Sequence, residues 1–289
     1  MLFRSLWLSA RPAHKRRRAH GVGGRGATAR PCGRSGRGGR GGARIRLWGR
    51  PDPRRLASKH EFLYESRTEY DLDSPKKIDL RVGLAHEVII EKTKDEKIQV
   101  LAASNKLCYI AQQVKVKIVE DKKRMDVIVN HSADLSDIAA MENLFIRVRI
   151  PEKFVADIEL SSELENLKVR DIVFDAIEFD GKVKNAFVTN ANGHIELNTN
   201  SNVNVEVNGL KGKLDINHFH AVSKIHFADG QNYYLKNAGR FTRFVDSEGK
   251  ILVGKRNTED PSDSVDLIVE LNGWKSETQV FICANLQNV

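Results

Sequence analysis

Ala176–Asn190 (AIEFDGKVKNAFVTN), His194–Asn208 (HIELNTNSNVNVEVN) and Lys213–Ala228 (KLDINHFHAVSKIHFA) are versions of one pattern. Each holds two short runs in which apolar and polar residues alternate. The second run starts ten or eleven residues after the first: Ile177 to Phe187, Ile195 to Val205, Leu214 to Ile225. Whole units recur every eighteen or nineteen residues, Ile177 to Ile195 to Leu214, and Ile158 with Leu167 supplies an earlier, looser copy. A fixed period near twenty with two alternating strands per unit predicts a β-solenoid, because one coil buries too little to stand alone and stacked coils share a core.

Alternation assigns faces. Ile177/Phe179, Ile195/Leu197 and Leu214/Ile216 point inward from the first strands, and Phe187/Thr189, Val205/Val207 and Ile225/Phe227 from the second. Glu178, Glu196, Glu206 and Asp215 point outward, with His194, Lys213 and Lys224 dispersed among them. Asn190, Asn198, Asn208 and Asn217 each follow a residue assigned inward, where turns are expected. Asn tolerates left-handed backbone, and stacked amides can bond along the axis.

Outward from the repeats the chain stays β-like. Ile78–Val82, Glu87–Glu91, Lys97–Leu101, Val114–Val119, Met125–Val129 and Leu144–Ile150 all alternate or nearly so, and Pro151 ends the last of these. A short helix is expected between Ser132 and Asn143. After Gly230 the regularity fails, and residues 231–264 read as a long connection or hairpin. Val265–Glu270 and Gln279–Cys283 close the β-structure.

The amino-terminal block is different in kind. Residues 1–57 hold fifteen Arg and one Lys against one acid, a net of +15, with eleven Gly and four Pro. The remaining residues hold 31 basic and 37 acidic side chains, a net of −6, so the overall +9 belongs to the tail. The domain division is therefore a disordered basic tail over 1–57 and a β-solenoid over 58–289, with the repeats at 155–230. Three readings stay open for the tail: RNA binding through Arg and Gly, organelle targeting, and translation from a misassigned start. Nucleic acid is expected as a partner only through this tail.

Cys32, Cys108 and Cys283 form neither a disulfide framework nor a zinc motif. The expected compartment is cytoplasmic, with the cell envelope, or an organelle reached through the tail, as alternatives. No stretch approaches a membrane span, and Leu2–Ala10 is too short and too interrupted for a secretory signal.

Candidate sites are weak. His218 and His220 form an HxH pair near His194 and His226. If extended, both imidazoles would share a face, but no third ligand is placed, so solvated histidines are expected in preference to a metal site. Phe219 and Ala221 read as packing at the turn. Gly21–Gly26 matches GxGxxG but follows no strand and opens no helix, which rejects dinucleotide binding. Asn130-His-Ser132 fits a glycosylation acceptor. Asp134, Asp137 and Glu142, and separately Glu163 with Glu165, are candidate paired carboxylates whose separation the sequence does not fix. No catalytic, cofactor-binding or metal-binding residue is assigned, and no cofactor is expected.

Lys77-Ile-Asp-Leu80, Val88-Ile-Ile-Glu91, Lys97-Ile-Gln-Val100, Leu144–Phe154 (LFIRVRIPEKF), the Asn192–Leu197 repeat (NGHIEL) and Val265–Gly273 (VDLIVELNG) carry a resemblance. Over about residues 75–284 the chain resembles a family of bacterial adhesin-like β-solenoids, a domain of unknown function. That resemblance implies a right-handed all-β solenoid without enzyme activity, with roles at the cell envelope or in stress. The expected function is a non-enzymatic, adhesin-like binding or scaffold protein with an unidentified protein partner. Its alternatives are a polysaccharide-active β-helix enzyme and RNA binding by the tail.

Overall fold

The structure is a computed structural model that describes residues 46–47, 64–71, 77–104, 114–121, 123–131, 142–252 and 265–283. All of these lie in one compact unit, Gly42–Val289; a second unit, Met1–Gly41, has none of them. Apart from the strand at Arg46–Leu47, the tail over 1–57, with Gly21–Gly26 and Cys32, falls outside the described residues, as do Cys108, Ser132, Asp134 and Asp137. Of the helix expected at 132–143, only Glu142 and Asn143 are described, and both are helical.

Among the described residues fourteen strands join in one sheet. They are β1 (Arg46–Leu47), β2 (Tyr64–Asp71), β3 (Lys77–Thr93), β4 (Lys97–Ser104), β5 (Val114–Glu120), β6 (Arg124–His131) and β7 (Phe145–Pro151). The 44-residue β8 (Ala156–Thr199) follows, then β9 (Asn204–Phe219), β10 (Val222–Ala228), β11 (Tyr233–Asn237), β12 (Arg243–Val245), β13 (Leu267–Trp274) and β14 (Glu277–Cys283).

β8 winds over itself. Asn185 Nδ2 donates to Asn166 Oδ1 at 3.0 Å and Asn190 Nδ2 to Asp171 Oδ1 at 3.2 Å, each pair nineteen residues apart. β8 then continues in parallel register onto β9, Ala186 beside Val205 and Ile195 beside Leu214. The expected period is thus the rise of one coil, about 4.8 Å per step.

Two inward columns run the length of the solenoid. On the first strands Met125, Ile78, Ile158, Ile177, Ile195, Leu214, Val269 and Leu235 follow one another; on the second, Ile146, Val88, Leu167, Ala186, Val205, Ile225 and Val280. All are buried in one continuous core. A fully buried Ile or Leu contributes about 1.5–3 kcal/mol relative to an exposed one, so the core strengthens with each added coil.

Phe187 and Thr189 do not point inward. The strand is shifted by one residue: Ala186 and Val188 are buried, while Phe187 lies beside Glu206 on the outer face with Lys168 Nζ 5.6 Å above its ring. A strand's period of two makes such a slip exchange the faces. The turn assignment holds for Asn190, at φ 48°, in a corner beside Asp171 at φ 51°. Asn198 and Asn217 instead lie side by side within strands.

The region after Gly230 is more regular than expected. It contributes β11 and β12, and both stack in parallel on the carboxyl-terminal strands, β11 on β13 and β12 on β14. β13 and β14 themselves pair with β9 and β10. The last coil in sequence therefore sits between two earlier ones. The opposite end inverts this order: β3 lies between β8 on one side and β6 and β7 on the other, all three later in the chain. Beyond them the antiparallel strands β5, β4 and β2 cover the parallel stack, which blocks edge-to-edge association.

Candidate functional site

The outer face of the first strands carries a column of acids. Asp126 lies beside Asp79, Asp79 beside Glu159, Glu196 beside Asp215, and Asp215 beside Glu270. Glu178 occupies the coil between Glu159 and Glu196, and both carboxylates act on its charge. Unit charges at such spacing repel by about 1 kcal/mol even in bulk water, so the column needs cations.

Its ends have them. Arg124 bonds to Asp79, and to Asp126 at 2.7 Å; Lys77 meets Glu159 at 2.5 Å. At the other end Lys213 bridges Asp215 at 2.8 Å and Glu270 at 3.2 Å, and Lys236 also reaches Glu270 at 3.2 Å. Burial alone would lower the Lys213 pKa, but these two carboxylates raise it, so the amine stays charged.

The middle is different. Among the described residues neither Glu178 nor Glu196 makes an ion pair; amides serve them instead. Asn198 Nδ2 donates to Glu178 Oε1 at 3.3 Å. Asn217 Nδ2 donates to Glu196 Oε1 at 2.6 Å and to Asn198 Oδ1 at 2.7 Å. Burial raises the Glu178 pKa, and the charges of Glu196, Asp180 and Glu159 push it the same way.

Two residues farther along the same face the acids give way to this amide column, and two farther again to aromatics: Phe219 lies beside Trp274 in register. Phe219 is 55% exposed and Phe241 65%. Phe241 meets Trp274 edge-on at 5.3 Å, and Arg240 lies 5.6 Å from both rings. A shallow depression of about 610 Å³ opens beside them, lined among others by Lys182, Asn198, Asn200, His218 and Phe219.

The histidine pair separates here. His218 is 2% exposed, and among the described residues neither ring nitrogen finds a hydrogen-bond partner beyond its own backbone. His220 is exposed, at a left-handed corner (φ 54°). The two imidazoles do not share a face, and His218 is not solvated, because inward alternation continues through Ile216 to His218. Burial lowers the His218 pKa, which keeps the ring neutral. The neighbouring Phe219 is exposed rather than packed. His226 stacks on Phe281 at 4.8 Å with the Cys283 thiol 3.5 Å from its Nδ1.

The other candidate carboxylates are occupied. Glu163 is bound by Lys182 at 3.1 Å and Glu165 by Lys184 at 2.6 Å, each lysine one coil along. Glu142 is exposed. Sequence reading also missed Glu91 on the second-strand face. Burial would raise its pKa, but hydrogen bonds from Arg149 and Arg170 outweigh that and hold it below the usual carboxylate range.

A model of the Toastrack DUF4097 family matches residues 75–263, well over half of the chain. The chain belongs to the Toastrack DUF4097 family. Two strands of this Toastrack protein, β13 and β14, lie beyond the matched residues. No curated protein matches it. Among solved structures it is similar to a candidate cell adhesion protein from Clostridium sporogenes ATCC 15579, at 9% identity over 76% of this chain and 99% of that one, with a TM-score of 0.40. It is also similar to a candidate adhesin from Bacteroides fragilis NCTC 9343, at 12% identity over 78% and 98% of the two chains, with a TM-score of 0.24. Among the described residues no helix is long and apolar enough to cross a membrane.

Proposed function

We propose that this Toastrack protein is a non-enzymatic, adhesin-like binding protein whose acidic flank takes a basic protein partner. The observation behind this reading is the centre of the acid column, Glu178 and Glu196, which amides serve and which no cation pairs with directly among the described residues, Lys77 reaching Glu178 only through its longer-range charge. Lys or Arg side chains of a partner would complete the alternation of charge that Arg124, Lys77 and Lys213 supply at the ends. The exposed aromatics on the same face, with Arg240 across them, are the residue types that dominate binding energy when desolvated. Charge steering would make association fast and salt-sensitive. A cytoplasmic location belongs to the same proposal, with the cell envelope as its alternative.

The test is capture from cell lysate on wild-type protein and on a Glu178→Lys/Glu196→Lys variant, at low and moderate salt. The reading requires basic proteins retained by wild type and released by the variant or by salt. Identical captured sets would refute it. The adjacent carboxylates Glu178 and Glu196, one with a raised pKa, support a second reading as a polysaccharide-active enzyme. Release of products from pectin, alginate or peptidoglycan fragments, lost in Glu178→Gln, would establish that reading instead.

A further inference from the structure

Three potential metal ligands converge where β8 meets β9. Ile195 and Leu214 are register partners, which sets His194 beside Lys213 and Glu196 beside Asp215. His194 and Glu196 are two residues apart on one strand and therefore share the outer face. One ligand atom from each of His194, Glu196 and Asp215 lies within 4.8 Å of the others. The ligand atoms of a tetrahedral zinc-type site are about 3.3 Å apart, as bond lengths of about 2.0–2.2 Å require. Small side-chain rotations of the half-buried His194 and Glu196 close that gap.

A second observation points to a cation. The Asp215 side chain is 8% exposed; its Oδ2 accepts from Lys213 and lies 2.8 Å from His194 Nε2, but its Oδ1 is buried with no hydrogen-bond partner among the described residues. A buried carboxylate oxygen left unmatched is costly. Local charge agrees: Glu159, Glu178, Asp180, Glu196, Asp215 and Glu270 act together with Lys77, Lys213 and Lys236, an excess of negative charge. A divalent ion would reduce that excess. Lys213 would stay outside the ligand set, tied to Glu270 and Asp215, and hold the Asp215 carboxylate in place as outer-shell groups do.

We propose that His194, Glu196 and Asp215 form a three-ligand site for a zinc-class divalent cation. The imidazole selects zinc, nickel or copper over magnesium and calcium, which prefer all-oxygen sets. Binding moves the imidazole proton to Nδ1, so that the Nε2 lone pair faces the metal. Three protein ligands leave a fourth position open to water or a ligand atom from another molecule.

The experiment is calorimetric titration of chelator-treated, full-length protein with zinc chloride, and separately with magnesium chloride. Wild type should lose one high-affinity zinc equivalent in each of His194→Ala and Asp215→Asn, with affinity at that site falling at least about tenfold. Glu248→Gln, which alters an exposed acid in a distant turn, should titrate like wild type. Cobalt substitution gives a second readout: wild type should show the intense visible bands of a four-coordinate ion, and His194→Ala should lose them even if zinc still binds elsewhere. Equal zinc stoichiometry in wild type and His194→Ala would overturn the site. So would magnesium binding as tightly as zinc, which would mark simple attraction to the acid column. This inference does not require the proposed basic partner: Glu178→Lys, which spares all three ligands, tests the partner, and His194→Ala tests the zinc site.

Discussion

Gly181→Ala should be among the most damaging single-methyl changes in this protein, and the coil spacing says by how much. A Cβ at Gly181 would sit 1.9 Å from the Ser162 carbonyl oxygen, one coil away. A carbon–oxygen contact needs about 3.3 Å, so the coils would have to part locally by about 1.4 Å. Ladder hydrogen bonds near 2.9 Å do not survive that stretch. Losing two of them at about 1 kcal/mol each, with about 1–3 kcal/mol for a side chain at such a backbone angle, gives a cost of about 3–5 kcal/mol. Gly230 is the internal control: its φ is +81°, yet a Cβ there meets nothing within 4 Å. Gly230→Ala should therefore lose only the backbone part, about 1–2 kcal/mol. Urea unfolding followed by far-ultraviolet circular dichroism compares the two through midpoint and slope. Equal losses would show that neighbouring coils do not constrain this corner and would refute the reasoning.

Ile195→Asp places a charge in the fully buried column and should abolish cooperative melting; a variant that melts like wild type refutes the inward assignment. Glu91→Gln should cost about 2–3 kcal/mol by removing charged hydrogen bonds and should flatten acid unfolding. The folded pKa of Glu91 is depressed, so its stabilisation is full above the ordinary 4.5 and is lost as pH falls below it; an unchanged acid profile counts against it. His218 behaves oppositely in charge but alike in sign: its lowered pKa means the unfolded chain binds more protons below about pH 6.5, so stability falls as pH drops through that point. His218→Leu should reduce that slope, His226, whose pKa burial also lowers, carrying the rest, and an unchanged slope counts against His218. Glu178→Gln should raise the melting temperature at neutral pH by relieving repulsion from Glu196 and Glu159; a lower melting temperature would show that the charge is compensated.

The repeat was readable because Ile177, Ile195 and Leu214 are large, apolar and evenly spaced, so both faces of the first strands followed from period and size. The second strand of the first unit was misread because Phe187 is more hydrophobic than Ala186. Register is decided instead by the neighbours above, Val205 and Ile225, which lie over Ala186. His218 was misassigned for a related reason: its polarity suggested solvent, while its position two residues past Ile216 makes it inward. β11 and β12 were unreadable from local pattern, because their partners lie more than thirty residues later in the chain. The His194, Glu196 and Asp215 group was implicit in the nineteen-residue offset between Ile195 and Leu214, but only pairing register turns that offset into proximity.

The interleaved order of the last coils has a consequence for synthesis on the ribosome. Residues 233–245 emerge well before 267–283, yet their final place is on top of those later strands. Until then the upper rims of β9 and β10 are vacant, and β11 and β12 are the nearest strands able to occupy them. A nascent chain stalled between the two segments would present the wrong lid, and maturation would require β13 and β14 to displace it. Elongation rate across residues 246–266 therefore bears on yield: slow codons there would prolong the misdocked state, and a released chain would convert with a lag that full-length refolding from denaturant does not share.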